Sequence, residues 1–277
     1  MPKSSATPVR REPVFFYAEP EAMFRVGPID VEGAHSTGEM LAGSWARDGS
    51  ARPSRGALFV LVDDVFVLAA LAHRPAGRWG LTTELSLDFG MDPAAGTDSV
   101  YAAADFVAAD AESGLASGTV RDADGRVLAV GTARVRYTDQ LPAALADPGR
   151  VVLPHFEREA AGPPGPVEQL LGAIATEEGL ELPASAQLSN SMGPVHGGLL
   201  ACASELLAVT TARRTNTAFV TSSVHIAFVR AASAREPVRF TVEAKYEGRT
   251  LRVYEVTSRG PSGKPCTIAT VTCQVAG

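Results

Sequence analysis

One order of elements occurs twice along this chain, and that repetition restricts the fold more than any other feature. Gly56 opens an apolar run in which an acid, Asp63, follows seven residues later, and Gly198 opens a second in which Glu205 follows at the same spacing. After each run comes an alternating stretch: Thr82-Thr83-Glu84-Leu85-Ser86-Leu87-Asp88-Phe89 aligns with Thr221-Ser222-Ser223-Val224-His225-Ile226-Ala227-Phe228. Further on, the tight turn Asp122-Ala123-Asp124-Gly125 corresponds to Gly260-Pro261-Ser262-Gly263-Lys264. The offset between copies is 142 residues at the helix, 139 at the strand and 138 at the turn, a drift that small loop deletions explain. The pattern is an internal duplication of one α+β unit.

Each copy reads as one helix followed by antiparallel strands. Residues 57–72 contain neither Pro nor Gly and are predicted to be helical, as are residues 197–213. Strands are expected at 81–89, 100–109, 114–120 and 126–137, and again at 219–228, 238–246, 251–258 and 267–275. The first helix is apolar nearly all round, so it must be covered on most sides, and a curved antiparallel sheet wrapped around it meets that need. Asp63 and Asp64 interrupt the apolar surface. A buried ionised carboxylate is costly, so at least one of them needs a partner or a task. The expected organisation is a disordered polar tail over residues 1–14, one unit over 15–138, a Pro-rich linker over 139–166 and a second unit over 167–277.

Composition excludes several functions. The net charge is -6 with both signs interspersed and no Lys/Arg-rich block, so no nucleic-acid partner is expected. The three cysteines, Cys202, Cys266 and Cys273, have neither disulfide nor zinc spacing. A reducing, cytoplasmic location is the simple reading, with Cys202 a small core residue. The longest apolar run carries Asp63 and Asp64 near its middle, which argues against membrane insertion.

The chemistry concentrates at Asn190-Ser191-Met192-Gly193-Pro194-Val195-His196-Gly197-Gly198. A glycine pair at a helix start leaves backbone N–H groups free to hold a developing oxyanion. A carboxylate among apolar neighbours can serve as base or nucleophile. His196 is read chiefly as a hydrogen-bonding residue that shapes the turn. It is not expected to bind a metal, since no second His or Cys lies at suitable spacing.

These residues resemble the hotdog-fold acyl-CoA thioesterases of the PaaI-like type. Asn190, the His196-Gly197-Gly198 triplet and Glu205 carry the likeness, with Gly56 to Asp63 as the second copy, and it covers most of the chain twice over. The resemblance implies a tandem or double hotdog of class α+β, in which the helix-start amides of one unit face the carboxylate of the other. Site one would then join Asn190, His196, Gly197 and Gly198 with Asp63 and Thr82, with Asp64 the alternative acid. Site two would join Arg55 and Gly56 with Glu205 and Thr221, with Asp48 standing where site one has Asn190. Asp48 would repel an anionic intermediate and Arg55 would crowd the approach to the backbone, so site two is expected to be weak or dead. Arg230 is a candidate for the phosphates of coenzyme A. The resemblance implies hydrolysis of an acyl-CoA without metal or redox cofactor; the alternatives are a catalytically silent acyl-CoA or lipid-binding protein and a hotdog hydratase. Assembly stays open, with a homodimer or a higher oligomer of pseudo-dimers the form such units commonly take.

Overall fold

The computed structural model describes residues 18–41, 47–92, 99–140 and 166–276. The tail expected over 1–14, and all but the edges of the linker expected over 139–166, fall outside them. In chain order the elements are α1 (Glu19–Met23), β1 (Val26–Glu32), β2 (His35–Leu41), α2 (Leu58–Ala70), β3 (Trp79–Phe89), β4 (Ser99–Ala109), β5 (Ser113–Asp122) and β6 (Val127–Thr138). They continue as α3 (Val167–Leu171), β7 (Ile174–Ala175), β8 (Gly179–Leu182), α4 (Gly197–Arg213), β9 (Phe219–Phe228), β10 (Val238–Glu247), β11 (Leu251–Arg259) and β12 (Pro265–Val275).

The twelve strands form a single antiparallel sheet in the order β1-β2-β4-β5-β6-β3-β9-β12-β11-β10-β8-β7. Read from the middle outward, the two halves have the same order, so the duplication becomes a pseudo-two-fold about the β3–β9 seam. The register there pairs Glu84 with Ala227, Ser86 with His225 and Asp88 with Ser223. Each half curls around its own long helix. On α2 every side chain but Asp64 and Val67 is buried, and on α4 the residues from Gly198 to Val209 are all buried. At roughly 1.5–3 kcal/mol for each large apolar side chain removed from water, these two helices supply much of the folding drive.

The hairpin turns form where the sequence placed them. Gly125 and Gly263 take φ of 79° and 71°, a left-handed backbone that a side chain would strain. The first helix is shorter than expected. A single 3₁₀ turn over Arg55–Ala57 precedes it, and at its far end the Leu71 N–H is shared between the carbonyls of Val67 and Leu68, the tightening usual in a last helical turn. Strands β1, β2, β7 and β8 and helices α1 and α3 were not anticipated. Most are short, and they complete the sheet's two outer edges or pack against its ends.

The long helices meet across the seam at their glycines. A Cβ on Gly198 would lie 2.6 Å from the Phe59 carbonyl oxygen and 2.7 Å from the Val60 Cα. A Cβ on Gly56 would lie 3.1 Å from the Cys202 Cα. Each helix start is therefore pressed against the first two turns of the other helix, one turn before the acid there. The spacing of seven residues from glycine to acid is the geometry of this crossing.

Candidate active site

At the first crossing Asp63 points from α2 at the start of α4. Its Oδ2 accepts the Gly198 N–H at 2.9 Å, and its Oδ1 accepts the Thr82 hydroxyl at 3.0 Å. A Cβ on Gly197 would fall 2.6 Å from Asp63 Oδ2, so the carboxylate occupies space that only glycine leaves open. Thr82 reaches it from β3 because Thr83 is a bulge: Thr82 faces Val135 and Glu84 faces Arg134, with one extra residue between. Ser222 forms the corresponding bulge in β9, immediately after Thr221. In both units an inserted residue re-aims the strand beside the acid.

The two glycine amides have different fates. Leu199 and Leu200 both donate to the His196 carbonyl, which leaves the Gly197 and Gly198 N–H groups outside the helical ladder. Gly198 uses its N–H on Asp63 and lies 3.0 Å from His196 Nδ1, which caps the helix. The Gly197 N–H has no hydrogen-bond partner among the described residues. His196 Nε2 lies 3.3 Å from Asp64 Oδ1 and 3.7 Å from Glu21 Oε1. The two adjacent acids are thus separated in role: Asp63 accepts from the Gly198 amide and the threonine, and Asp64 meets the imidazole. Glu21, from α1, was missed by the sequence reading, since one acid in a five-residue helix carries no periodic signal.

Electrostatics in this cluster are strong. Burial, then the neighbouring charge of Glu21, pushes Asp64 up to about 8, while the His196 ring pulls it back. Burial also raises Glu21 above its ordinary value, with His196 opposing. For His196 burial acts downward, but Asp64, Glu21 and Asp63 outweigh it and lift the ring to about 10. Glu21, Asp64 and His196 bring side-chain polar atoms within 4.8 Å of one another. A cavity of about 110 Å³ opens onto the group, lined by Glu21, Asp63, Asp64, Thr82, Asn190 and His196 among others. Asn190 turns its Oδ1 to the Met192 N–H at 2.9 Å, holding the loop against the cavity.

The second crossing repeats the arrangement with Glu205. Its carboxylate accepts the Thr221 hydroxyl and the Gly56 N–H, and burial raises it above its ordinary value, with Thr221, Arg213, Gly56 and Arg55 opposing. The adjoining cavity is larger, about 280 Å³, and is lined by Arg52, Arg55, Asp92, Arg213 and Thr221. Arg55 lies across it, donating to Asp92 at 2.6 Å and to the Thr221 carbonyl. The expected repulsion from Asp48 does not arise in this geometry. Its Oδ2 is paired with Arg213 and its Oδ1 accepts the N–H groups of Ser50 and Arg52, so its charge is already matched. Arg230 donates to the Pro265 carbonyl and lines neither of these cavities. Cys202, Cys266 and Cys273 are buried and unpaired.

Residues 187–274 match the family model described as the acyl-CoA thioesterase N-terminal domain, and residues 2–134 match that of the acyl-CoA thioesterase C-terminal domain. This chain belongs to the acyl-CoA thioesterases. Among solved structures, the thioesterase is similar to the tesB protein of Mycobacterium avium subsp. paratuberculosis, at 13% identity and TM-score 0.62 over 94% of this chain and 98% of that one. It is similar to a 12:0-ACP thioesterase from Umbellularia californica at 11% identity and TM-score 0.61, covering 89% and 96%. It is similar also to the acyl-CoA thioesterase II TesB2 of Mycobacterium marinum at 12% identity and TM-score 0.56, covering 93% and 98%. A comparison with curated proteins finds no match. The fold is a double hotdog and the activity is thioester hydrolysis. The two family models fall on this thioesterase in the reverse of the order their names give. No helix among the described residues is long and apolar enough to cross a membrane.

Proposed function

We propose that this thioesterase hydrolyses acyl-CoA at site one, the cavity shared by the two units, with Asp63 as general base. The observation that carries the reading is the convergence of Asp63, Thr82 and the start of α4 on one buried point. Water held by Asp63 gives up a proton to the carboxylate and attacks the thioester carbon. The carbonyl oxygen becomes an oxyanion beside the Gly197 N–H, a donor fixed in place before the reaction; losing one such donor typically adds roughly 3 kcal/mol to a barrier. Collapse expels the coenzyme A thiolate, which takes the proton back from Asp63 as the carboxylic acid leaves, and the base is restored. Thr82 and the Gly198 amide hold both oxygens of Asp63, so the base keeps one orientation throughout. Asn190, which lines the same cavity, orients the water or the thioester.

Site two, with Glu205, Thr221 and Gly56, is the weaker partner, because the Arg55 guanidinium is tied across its mouth by Asp92 and the Thr221 carbonyl. Soluble cytoplasmic enzyme, paired again through sheet edges into a dimer of pseudo-dimers, is the physiological form this reading favours. Thiol release from a panel of acyl-CoAs by the parent and by Asp63→Asn tests the assignment. A loss of about 10³-fold in kcat is expected, within the usual range for a general base, and an unimpaired variant rules Asp63 out.

A further inference from the structure

Behind Asp63 lies a charge arrangement that hydrolysis by a lone base does not require. Three carboxylates from two elements surround one imidazole. Asp63 and Asp64 come from α2 and Glu21 from α1, and these are the charged groups that act on the ring. His196 Nδ1 is 3.5 Å from Asp63 Oδ2, and Nε2 is 3.3 Å from Asp64 Oδ1 and 3.7 Å from Glu21 Oε1. The side chains of His196 and Glu21 are each 3% exposed and that of Asp64 10%. Asp64 Oδ2 is buried and has no hydrogen-bond partner among the described residues. Glu21 is fixed in this orientation because its other oxygen accepts the Ala18 N–H at 3.0 Å.

Buried carboxylates in this number stay ionised together only with a positive charge among them. The group at their centre that can carry it is the ring. Charging the ring makes Nδ1 a donor, so the capping bond from the Gly198 N–H is given up and that amide is left with Asp63 Oδ2 as its acceptor.

We propose that Glu21 and Asp64 are positioning residues that hold His196 as an imidazolium, and that its charge offsets the negative charge gathering first on the thioester oxygen and then on the departing thiolate. The ring lines the same cavity as Asp63 and Asn190, beside the free end of α4, so its field adds to that of the helix-start amides. The upward displacement of His196 despite complete burial agrees with this arrangement. The catalytic half of the inference rests on site one being where hydrolysis occurs; the charge state of the ring does not.

The test combines two measurements on the full chain. Ring-labelled histidine NMR, with His196 assigned from the spectrum of His196→Gln, reports the ring's protonation. Steady-state thiol release between pH 6 and 10.5 reports kcat and KM. In the parent the ring stays charged well above pH 8. Glu21→Gln and Asp64→Asn each lower its titration by about one pH unit or more, the usual effect of one opposite charge at this range. The alkaline limb of kcat moves down by the same amount while KM changes less than about twofold, as expected of an interaction made only in the transition state. Glu21→Asp restores part of the shift. A ring that titrates near its ordinary value in the parent overturns the proposal. So does a kcat limb that stays put while the ring's titration moves, or one equivalent of divalent metal that copurifies and whose chelation changes the rate. If Asp63→Asn proves fully active, site one and the catalytic half fall together, and the ring titration still decides whether Glu21 and Asp64 charge His196.

Discussion

Substitution of the two adjacent glycines at the start of α4 should separate folding from chemistry. At Gly198 a Cβ would sit 2.6 Å from the Phe59 carbonyl oxygen, 2.7 Å from the Val60 Cα and 2.9 Å from the Phe59 carbonyl carbon. All three are backbone atoms of α2, so neither a rotamer change nor a side-chain shift can relieve the overlap. The helices must move apart by roughly 1 Å, against a core packed at crystal-like density. Overpacking of this kind costs about 1–3 kcal/mol, and we place Gly198→Ala at about 3 kcal/mol because the obstruction is main chain. For a chain of this size that is a fall in Tm of roughly 6–12 °C. At Gly197 the nearest atom is Asp63 Oδ2, at 2.6 Å, the end of a side chain that can swing away. Gly197→Ala should therefore cost less than about 1 kcal/mol of stability. It should still displace the carboxylate by roughly 1 Å and lower kcat/KM about 100-fold, as misplacement of a reacting group by that distance commonly does. Thermal unfolding followed by circular dichroism and thiol release from acyl-CoA give the two readouts. A Gly198→Ala protein that melts with the parent would refute the tight crossing. A Gly197→Ala protein of full activity would refute Asp63 as the reacting acid.

Glu205→Gln should leave kcat/KM within about twofold of the parent, measured by thiol release, whereas Asp63→Asn loses about 10³-fold; equal losses would make both sites active. Thr82→Val removes the hydroxyl from Asp63 Oδ1 and should lower kcat roughly tenfold, about 1.4 kcal/mol, with Tm nearly unchanged. Both His196 and Asp64 have folded-state values raised above their ordinary ones, to about 10 and about 8, so each binds its proton more tightly in the folded protein. Their contribution to stability is therefore complete at low pH, declines for Asp64 as pH rises towards 8, and is lost for His196 as pH rises through about 10. Thermal melts at pH 6, 8 and 10 should show this decline in the parent and a smaller one in Asp64→Asn.

The order of one helix and four strands, with a tight turn before the last strand, was readable because each element carries its own periodicity, and its repetition removed most of the ambiguity between strand and helix. Gly125 and Gly263 marked their turns for a reason local to four residues. What lay beyond the sequence was of two kinds. Strands β7 and β8 run only two and four residues, too few for a period-two signal, and they join the sheet only because β8 pairs with β10 and β7 with β8. The charge cluster at His196 joins residues 21, 64 and 196, and no spacing rule links a short N-terminal helix to the start of a helix so far along the chain. The choice between Asp63 and Asp64 also needed three dimensions. Adjacent positions on a helix point about 100° apart, and only the crossing of α2 and α4 determines which of them meets the Gly198 amide.

The reversed order of the two family models bears on what the site requires of the chain. Site one takes its acid and threonine from the first unit and its helix start from the second, and site two does the opposite. Both are created by the β3–β9 pairing and the α2–α4 crossing, neither of which depends on which unit is synthesised first. A tandem chain in either order can therefore close the same seam and form the same pair of crossings. Order along the chain instead decides which unit is free to diverge at which crossing. Here the first unit keeps the acid of site one and has lost the His-Gly-Gly start that would serve site two, with Ser54-Arg55-Gly56 in its place. The second unit keeps the start and still carries Glu205. The asymmetry thus lies in the helix starts rather than in the acids. Glu205 and Thr221 persist in a crossing that Arg55 covers because the carboxylate fills the space beside Gly56, 2.8 Å from where a Cβ would be, and accepts a buried amide that would otherwise go unpaired.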